Sequence, residues 1–212
     1  MKVSVIFVTK RNGAIKYLYE QLHKQTFKDF EIIIANDSDD KGGFKPRQKE
    51  DGDVWNINKA YNDCLDKAKG DLLVFLQDFI WIPANGIERF VTLNKVVTGC
   101  GHKYEKDLKK IVEIDDRALG NKVVEECHWS QWELNWASCP REQMIRFDEE
   151  MDKNYGAEDK YIAMNLYKNG NNIYIDKFNE CKGFSQEICG GRPKDWEEKH
   201  FNKTNKWKLW MS

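Results

Sequence analysis

Long apolar runs are missing from this chain of 212 residues. The longest, such as Leu72 to Leu76, fall far short of the roughly 20 apolar residues a membrane helix requires. No secretory leader is expected at Met1-Lys2-Val3-Ser4-Val5-Ile6-Phe7-Val8, whose apolar stretch is very short and is followed at once by Lys10-Arg11. Neither sign of charge dominates: the net charge of -1 gives no global pull toward nucleic acid or an anionic membrane. Close-spaced cysteine pairs are absent as well. Cys64, Cys100, Cys127, Cys139, Cys181 and Cys189 form no C-x-x-C, so buried reduced thiols are expected. Cys100-Gly101-His102 with Cys127-His128 is the zinc set that the spacing leaves open. Together these absences lead us to expect a cytoplasmic protein. No G-x-G-x-x-G follows the first apolar run and no G-x-x-x-x-G-K-[ST] occurs, which disfavours a dinucleotide cofactor and a P-loop enzyme.

What is present reads as a globular chain with a sizeable core, 41% hydrophobic and 33% charged. Val3 to Val8, Phe30 to Ala35 and Leu72 to Leu76 are short apolar runs of the kind buried on both faces of a parallel sheet. Between the first two, Ala14, Ile15, Leu18 and Leu22 recur at helical spacing, with Asn12 placed to cap beside Gly13. Between the second and third, Ile57, Ala60, Tyr61, Cys64, Leu65 and Ala68 predict a helix stopped by Gly70. Lys41 to Asp53 is charged, glycine-bearing and broken by Pro46, and predicts a mobile loop. This alternation implies right-handed crossovers and an α/β fold with a mostly parallel central sheet flanked by helices. Such sheets bind ligands beyond the carboxyl ends of their strands. Those ends carry Thr9-Lys10-Arg11, Asn36-Asp37-Ser38 and Gln77-Asp78.

Later in the chain, Glu158-Asp159 opens a segment in which Ile162 and Leu166 share a helix face with Asp159. A carboxylate there can act as a general base, or simply complement the helix dipole. Trp129, Trp132 and Trp136 flank Glu133-Leu134-Asn135. Core packing is expected for Trp129 and Trp132, whereas Trp136 is a candidate for stacking on a sugar.

Several motifs, in order, carry a family likeness. Val3-Ser4-Val5-Ile6-Phe7-Val8-Thr9-Lys10-Arg11-Asn12 resembles the opening strand and turn of family 2 glycosyltransferases of the GT-A fold. Asn36-Asp37-Ser38 is similar to that family's second-strand aspartate, and Gly70-Asp71-Leu72-Leu73-Val74-Phe75-Leu76-Gln77-Asp78 to the strand entering its D-x-D motif. Phe147-Asp148-Glu149 followed by Tyr155-Gly156-Ala157-Glu158-Asp159 resembles the later "G-F-D-E … G-x-E-D" block. Asn169-Gly170 and Lys206-Trp207 fit the same order.

The resemblance implies a hexosyltransferase that moves a sugar from a nucleotide-diphosphate sugar, a UDP-sugar, to an acceptor hydroxyl with inversion. Asp159 would be the general base, and Glu158 would bond the acceptor. Thr9, Lys10, Arg11, Asp37, Gln77, Asp78 and Asn135 would bind the nucleotide-sugar, and Trp136 would touch the acceptor. That acceptor could be a glycan, a lipid-linked saccharide, a protein or a modified nucleic-acid base. Manganese or magnesium would be held at Asp78, since hard cations prefer oxygen ligands. The chain departs from the family where D-x-D reads Gln77-Asp78-Phe79. Three options follow: Asp78 holds the ion directly or through water, it binds the ion more weakly, or cations such as Arg11 or Arg192 take over. His200 is a metal-ligand candidate by position, with a surface histidine as its plain alternative. Residues 1–182 are expected to form the GT-A domain, and 183–212 a flexible lid with a basic tail at Lys199, Lys203, Lys206 and Lys208. A sugar nucleotidyltransferase is the nearest other enzyme, although Thr9-Lys10-Arg11-Asn12-Gly13 supplies no Gly-rich phosphate loop. A non-catalytic nucleotide-sugar or carbohydrate-binding module is the other alternative, kept open by the single aspartate of Gln77-Asp78-Phe79.

Overall fold

The structure is a computed structural model describing residues 1–47, 56–105, 107–153 and 158–184. In chain order its elements are β1 (Val3–Thr9), α1 (Ala14–His23), β2 (Phe30–Asn36), α2 (Ile57–Lys67), β3 (Leu72–Gln77), β4 (Ile80–Trp81), α3 (Gly86–Leu93) and β5 (Val96–Cys100). They continue as β6 (Lys103–Tyr104), β7 (Ile111–Glu113), β8 (Val124–Glu126), β9 (Trp136–Pro140), α4 (Glu158–Lys168), β10 (Ile173–Glu180) and β11 (Lys182–Phe184). Among the described residues no helix is long and apolar enough to cross a membrane.

The main sheet has the order β2-β1-β3-β9-β5-β10-β8. β2, β1 and β3 are parallel, as expected from their doubly buried apolar runs. β9 then enters antiparallel between β3 and β5, and β8 pairs antiparallel with β10. The sheet is therefore mixed: β2, β1, β3, β5 and β10 run one way, β9 and β8 the other. A smaller sheet, β4-β11-β6-β7, stands beside it.

Helices cover both faces of the main sheet. Ala14, Ile15, Leu18 and Leu22 of α1 pack with Ile87 and Phe90 of α3 against Val3, Val5 and Phe7. On the other face, Ala60, Tyr61 and Cys64 of α2 pack with Ile162, Ala163 and Leu166 of α4 against Ile6, Val8 and Phe75. Full burial of Ile162 and Leu166 is worth roughly 1.5–3 kcal/mol each, which pins α4 in place. At its end Gly170 adopts φ 85, and Asn171 N donates to Leu166 O while Gly170 N donates to Tyr167 O. This is the glycine stop a helix uses to satisfy its last carbonyls.

Three local expectations change. Asn12 does not cap α1; Gly13 holds the cap position at φ 86, and the Asn12 side chain instead accepts from Asp39 N at 3.0 Å. The start of the expected mobile loop is fastened, since Phe44 exchanges backbone hydrogen bonds with Ile34 and Asn36 and Pro46 is buried. Residues 48–53 of that loop lie outside the described residues. The expected tail boundary falls inside β11, where Gly183 pairs with both Ile80 and Lys103, so packed structure reaches Phe184. Tyr155, Gly156, Ala157, Cys189, Arg192, His200, Trp207 and the tail lysines lie outside the described residues.

Candidate functional site

Strand order locates the crevice. β1 connects to β2 on one side and β3 lies on the other, so the sheet's connections reverse direction between β1 and β3. In open α/β sheets ligands settle beyond the carboxyl ends of the strands at such a switch point. Thr9 and Asp78 meet there. Thr9, buried at the end of β1, donates its hydroxyl to Asp78 Oδ2 at 2.8 Å and accepts from Arg11 N at 3.0 Å. The Arg11 guanidinium pairs with Asp78 Oδ1 and lies over the Phe79 ring at 5.7 Å. Burial pushes the Asp78 carboxyl up, against the opposing pull of Arg11 and Thr9.

Asp37, half-buried at the end of β2, joins this rim through its N–H to Thr9 O at 2.9 Å. Buried Asn36 fixes the following turn by donating to Asp40 O and Gly42 O and accepting from Ser38. Lys10 is exposed beside Thr9. Gln77 donates its N–H to Asn135 O at 3.0 Å, so Asn135 is held against the end of β3. Thr9, Arg11, Gln77, Asp78 and Asn135 are thus brought together, with Asp37 at the edge.

Beyond these strand ends lies a cavity of about 350 Å³ whose lining includes Phe79, Asp115, Arg117, Glu133, Asn135 and Trp136. That volume is within the ~300–1,000 Å³ of small-molecule sites. Its polar wall is a network that sequence reasoning missed. Arg117 Nη2 binds Asp115 Oδ2 at 2.8 Å and Glu133 Oε2 at 2.9 Å, and Asn135 Nδ2 donates to the same Glu133 oxygen at 2.8 Å. Asp115 also accepts from Gly101 N at 3.0 Å. Asp115-Asp116-Arg117 shows that a loop carries both signs of charge, but the partner Glu133 is reached only through the fold.

Trp136, expected to touch the acceptor, is held mainly by the core. It is only 1% exposed, packs against Phe90 at 4.5 Å, and donates Nε1–H to Asn179 Oδ1 at 2.9 Å. β9 holds its ring largely within the core, at the floor of the cavity it helps to line. Trp132 is likewise core and Trp129 packs at its margin, as expected.

The first turn of α4 comes to the same region. Lys160 Nζ donates to Ser130 O at 2.5 Å and lies 4.0 Å from Glu133 Oε1, tying α4 to the cavity wall. From below, Tyr61 is buried and stacked on Phe147 at 4.7 Å. Its phenol is pushed well above its ordinary pKa by burial and then by the negative charge of Glu158, against the opposing pull of Gln77. Asp159 is half-buried next to Glu158 on the helix start, its Oδ1 accepting from Lys160 N at 2.8 Å.

No family model matches the chain, and no curated protein matches its sequence. Solved structures do match. S. aureus TarS 1-349 aligns at TM-score 0.64 and 20% identity, covering 88% of this chain and 61% of that one. GalNAc-T7, solved with UDP, GalNAc and Mn2+, aligns at TM-score 0.65 and 13% identity over 87% of this chain and 44% of that one. TarS 1-349 in complex with UDP aligns at TM-score 0.58 and 20% identity, over 87% and 61%. These neighbours are glycosyltransferases. The fold is GT-A. The GT-A chain described here spans less than two thirds of the length of each neighbour.

Within this GT-A fold, the residues around Asp78 do not suit a divalent cation. Both Asp78 oxygens already have partners in Thr9 and Arg11, and the neighbouring side chains are an amide and a phenyl ring. A divalent ion at a diphosphate needs one or two carboxylates alongside the phosphate oxygens and water, and here the carboxylate expected to serve, Asp78, is already paired with a cation. Among the described residues, the manganese or magnesium expected at Asp78 would have to compete with Arg11 for that carboxylate.

Proposed function

We propose that the chain is a glycosyltransferase that moves a sugar from a nucleotide-diphosphate sugar, a UDP-sugar, to an acceptor hydroxyl with inversion. The observation that carries this reading is the switch-point crevice of a GT-A fold, at which Thr9, Arg11, Asp78 and Asn135 meet beside a cavity. Two structural neighbours were solved with UDP, which favours uridine as the base.

The nucleotide lies over the ends of β1 and β2, with Asp37 accepting from the ring N–H of the base. The sugar and the acceptor occupy the cavity, where Glu133 and Asn135 offer hydrogen bonds to hydroxyl groups. Glu158 orients the acceptor and Asp159 takes its proton. As the acceptor oxygen bonds to the anomeric carbon, the bond from that carbon to the diphosphate oxygen breaks and its electron pair leaves with the nucleoside diphosphate. Attack from the face opposite the leaving group inverts the centre. Fixed donors aimed at the departing oxygen are the main means of lowering such a barrier.

Calorimetry with uridine, guanosine, adenosine and cytidine diphosphates tests the reading. Saturable binding of UDP, weakened at least about tenfold by Asp37→Ala, is expected. Absence of binding by every nucleotide would remove the transferase reading.

A further inference from the structure

A departing diphosphate needs positive charge beside it, and among the described residues Asp78, the carboxylate expected to hold a divalent ion, is already paired with Arg11. Taking the nucleotide-sugar reading as its basis, we infer that Arg11 is the crevice's resident cation and that it binds the donor diphosphate without a divalent ion.

Position comes first. Arg11 follows the carboxyl end of β1, and its partner Asp78 follows that of β3, so the pair spans the switch point where an open sheet receives its ligand. Orientation is set from three directions. The backbone N–H of Arg11 is fixed by Thr9 Oγ1 at 3.0 Å, one edge of the guanidinium is held by Asp78, and its face lies over Phe79 at 5.7 Å. A long side chain restrained in this way has already lost the rotamer freedom that binding would otherwise cost.

Capacity follows from chemistry. A guanidinium carries five N–H donors in a planar fork and keeps its charge at any working pH. Only Nη1 is engaged by protein among the described residues, and 39% of the side chain remains exposed. Arg11 can therefore hold Asp78 on one edge and present another edge to phosphate oxygens, in the two-point geometry that arginine favours. Asp78 acts here as a positioning residue. With its side chain 12% exposed, one oxygen on the Thr9 hydroxyl and the other on the guanidinium, it aims the cation, and a metal there would have to compete with Arg11. Phe79, standing where the family places a second aspartate, supports the guanidinium face instead of an ion.

The test is a UDP titration by calorimetry on the full chain, in EDTA and in manganese chloride, with Arg11→Gln and Asp78→Asn compared with the unaltered protein. Equal affinity in the two buffers, within about twofold, is expected for the unaltered protein. Arg11→Gln should weaken binding in EDTA by about tenfold or more, as for loss of a charge-assisted contact. Asp78→Asn should tighten it several-fold, because the guanidinium loses its internal counter-charge. Circular dichroism checks that each variant is folded, and the two-buffer comparison needs no variant at all. UDP binding that requires manganese, with the requirement abolished by Asp78→Asn, would overturn the inference and leave the transferase reading standing. Failure of both UDP and GDP to bind in either buffer would remove the transferase reading, and the inference with it.

Discussion

Lys160, on the first turn of α4, donates its ammonium to the carbonyl of Ser130 at 2.5 Å. That bond links the helix bearing Glu158 and Asp159 to the segment that supplies Glu133 and Asn135. The two halves of the proposed reaction, proton removal and sugar placement, are thus held in register by one side chain. Small misplacements of reacting groups, of about 1 Å, are known to cost on the order of a hundredfold in rate.

Lys160→Met should accordingly lower donor turnover by about tenfold to a hundredfold while leaving UDP affinity within about twofold. Steady-state kinetics paired with calorimetry separates the two. A parallel loss of affinity and turnover would show that Lys160 contacts the donor or supports the whole fold instead of positioning α4.

Acid stability should report the Asp115–Arg117 pair. Burial alone would push the Asp115 carboxyl up, but the hydrogen bonds and charge of Arg117, with the Gly101 N–H, hold it below the usual range. A carboxyl whose folded pKa lies below its unfolded value stabilises the fold fully above about pH 4, and that contribution is lost as pH falls through the folded pKa. Asp115→Asn should cost about 1.5–3 kcal/mol at neutral pH and flatten the decline in stability below about pH 4. Denaturant melts from neutral to acidic pH measure both, and an unchanged acid slope would contradict the assignment.

The floor of the cavity should be intolerant of bulk. A Cβ on Gly99 would stand 2.3 Å from Trp136 Cδ1 and 2.6 Å from Asn179 O. Gly99→Ala should therefore destabilise the fold by about 1–3 kcal/mol through overpacking. Trp136→Phe should lose stability by about 1 kcal/mol with its bond to Asn179, leaving UDP affinity unchanged. Thermal melts check both. A Trp136→Phe variant of full stability but impaired acceptor use would return Trp136 to the acceptor role.

Sequence carried some parts of this structure and not others, for reasons of length and register. β1, β2 and β3 were legible because short β-branched runs without polar alternation suit strands covered on both faces, and their order brought Thr9, Arg11 and Asp78 to one rim. α4 was legible from Ile162 and Leu166. β9 was not, since Trp136 to Pro140 mixes an indole, small residues and a proline, and nothing local says that it inserts antiparallel between β3 and β5. That insertion buries Trp136, which sequence reading set at the acceptor. The Asp115–Arg117–Glu133 network was hidden because Glu133 sits on a separate segment that meets Asp115 and Arg117 only through tertiary contact. β4, β6, β7 and β11 are two or three residues each, too short for any period to register.

Asp159 bears the central claim. Incubating the protein with UDP-sugars and following nucleotide release, with water as the default acceptor, measures donor breakdown without knowledge of the natural acceptor. Asp159→Asn keeps the shape of the side chain and removes its basicity. Release should fall by about a hundredfold or more while UDP still binds, as for loss of a general base. Release that continues at the original rate in Asp159→Asn would contradict the account.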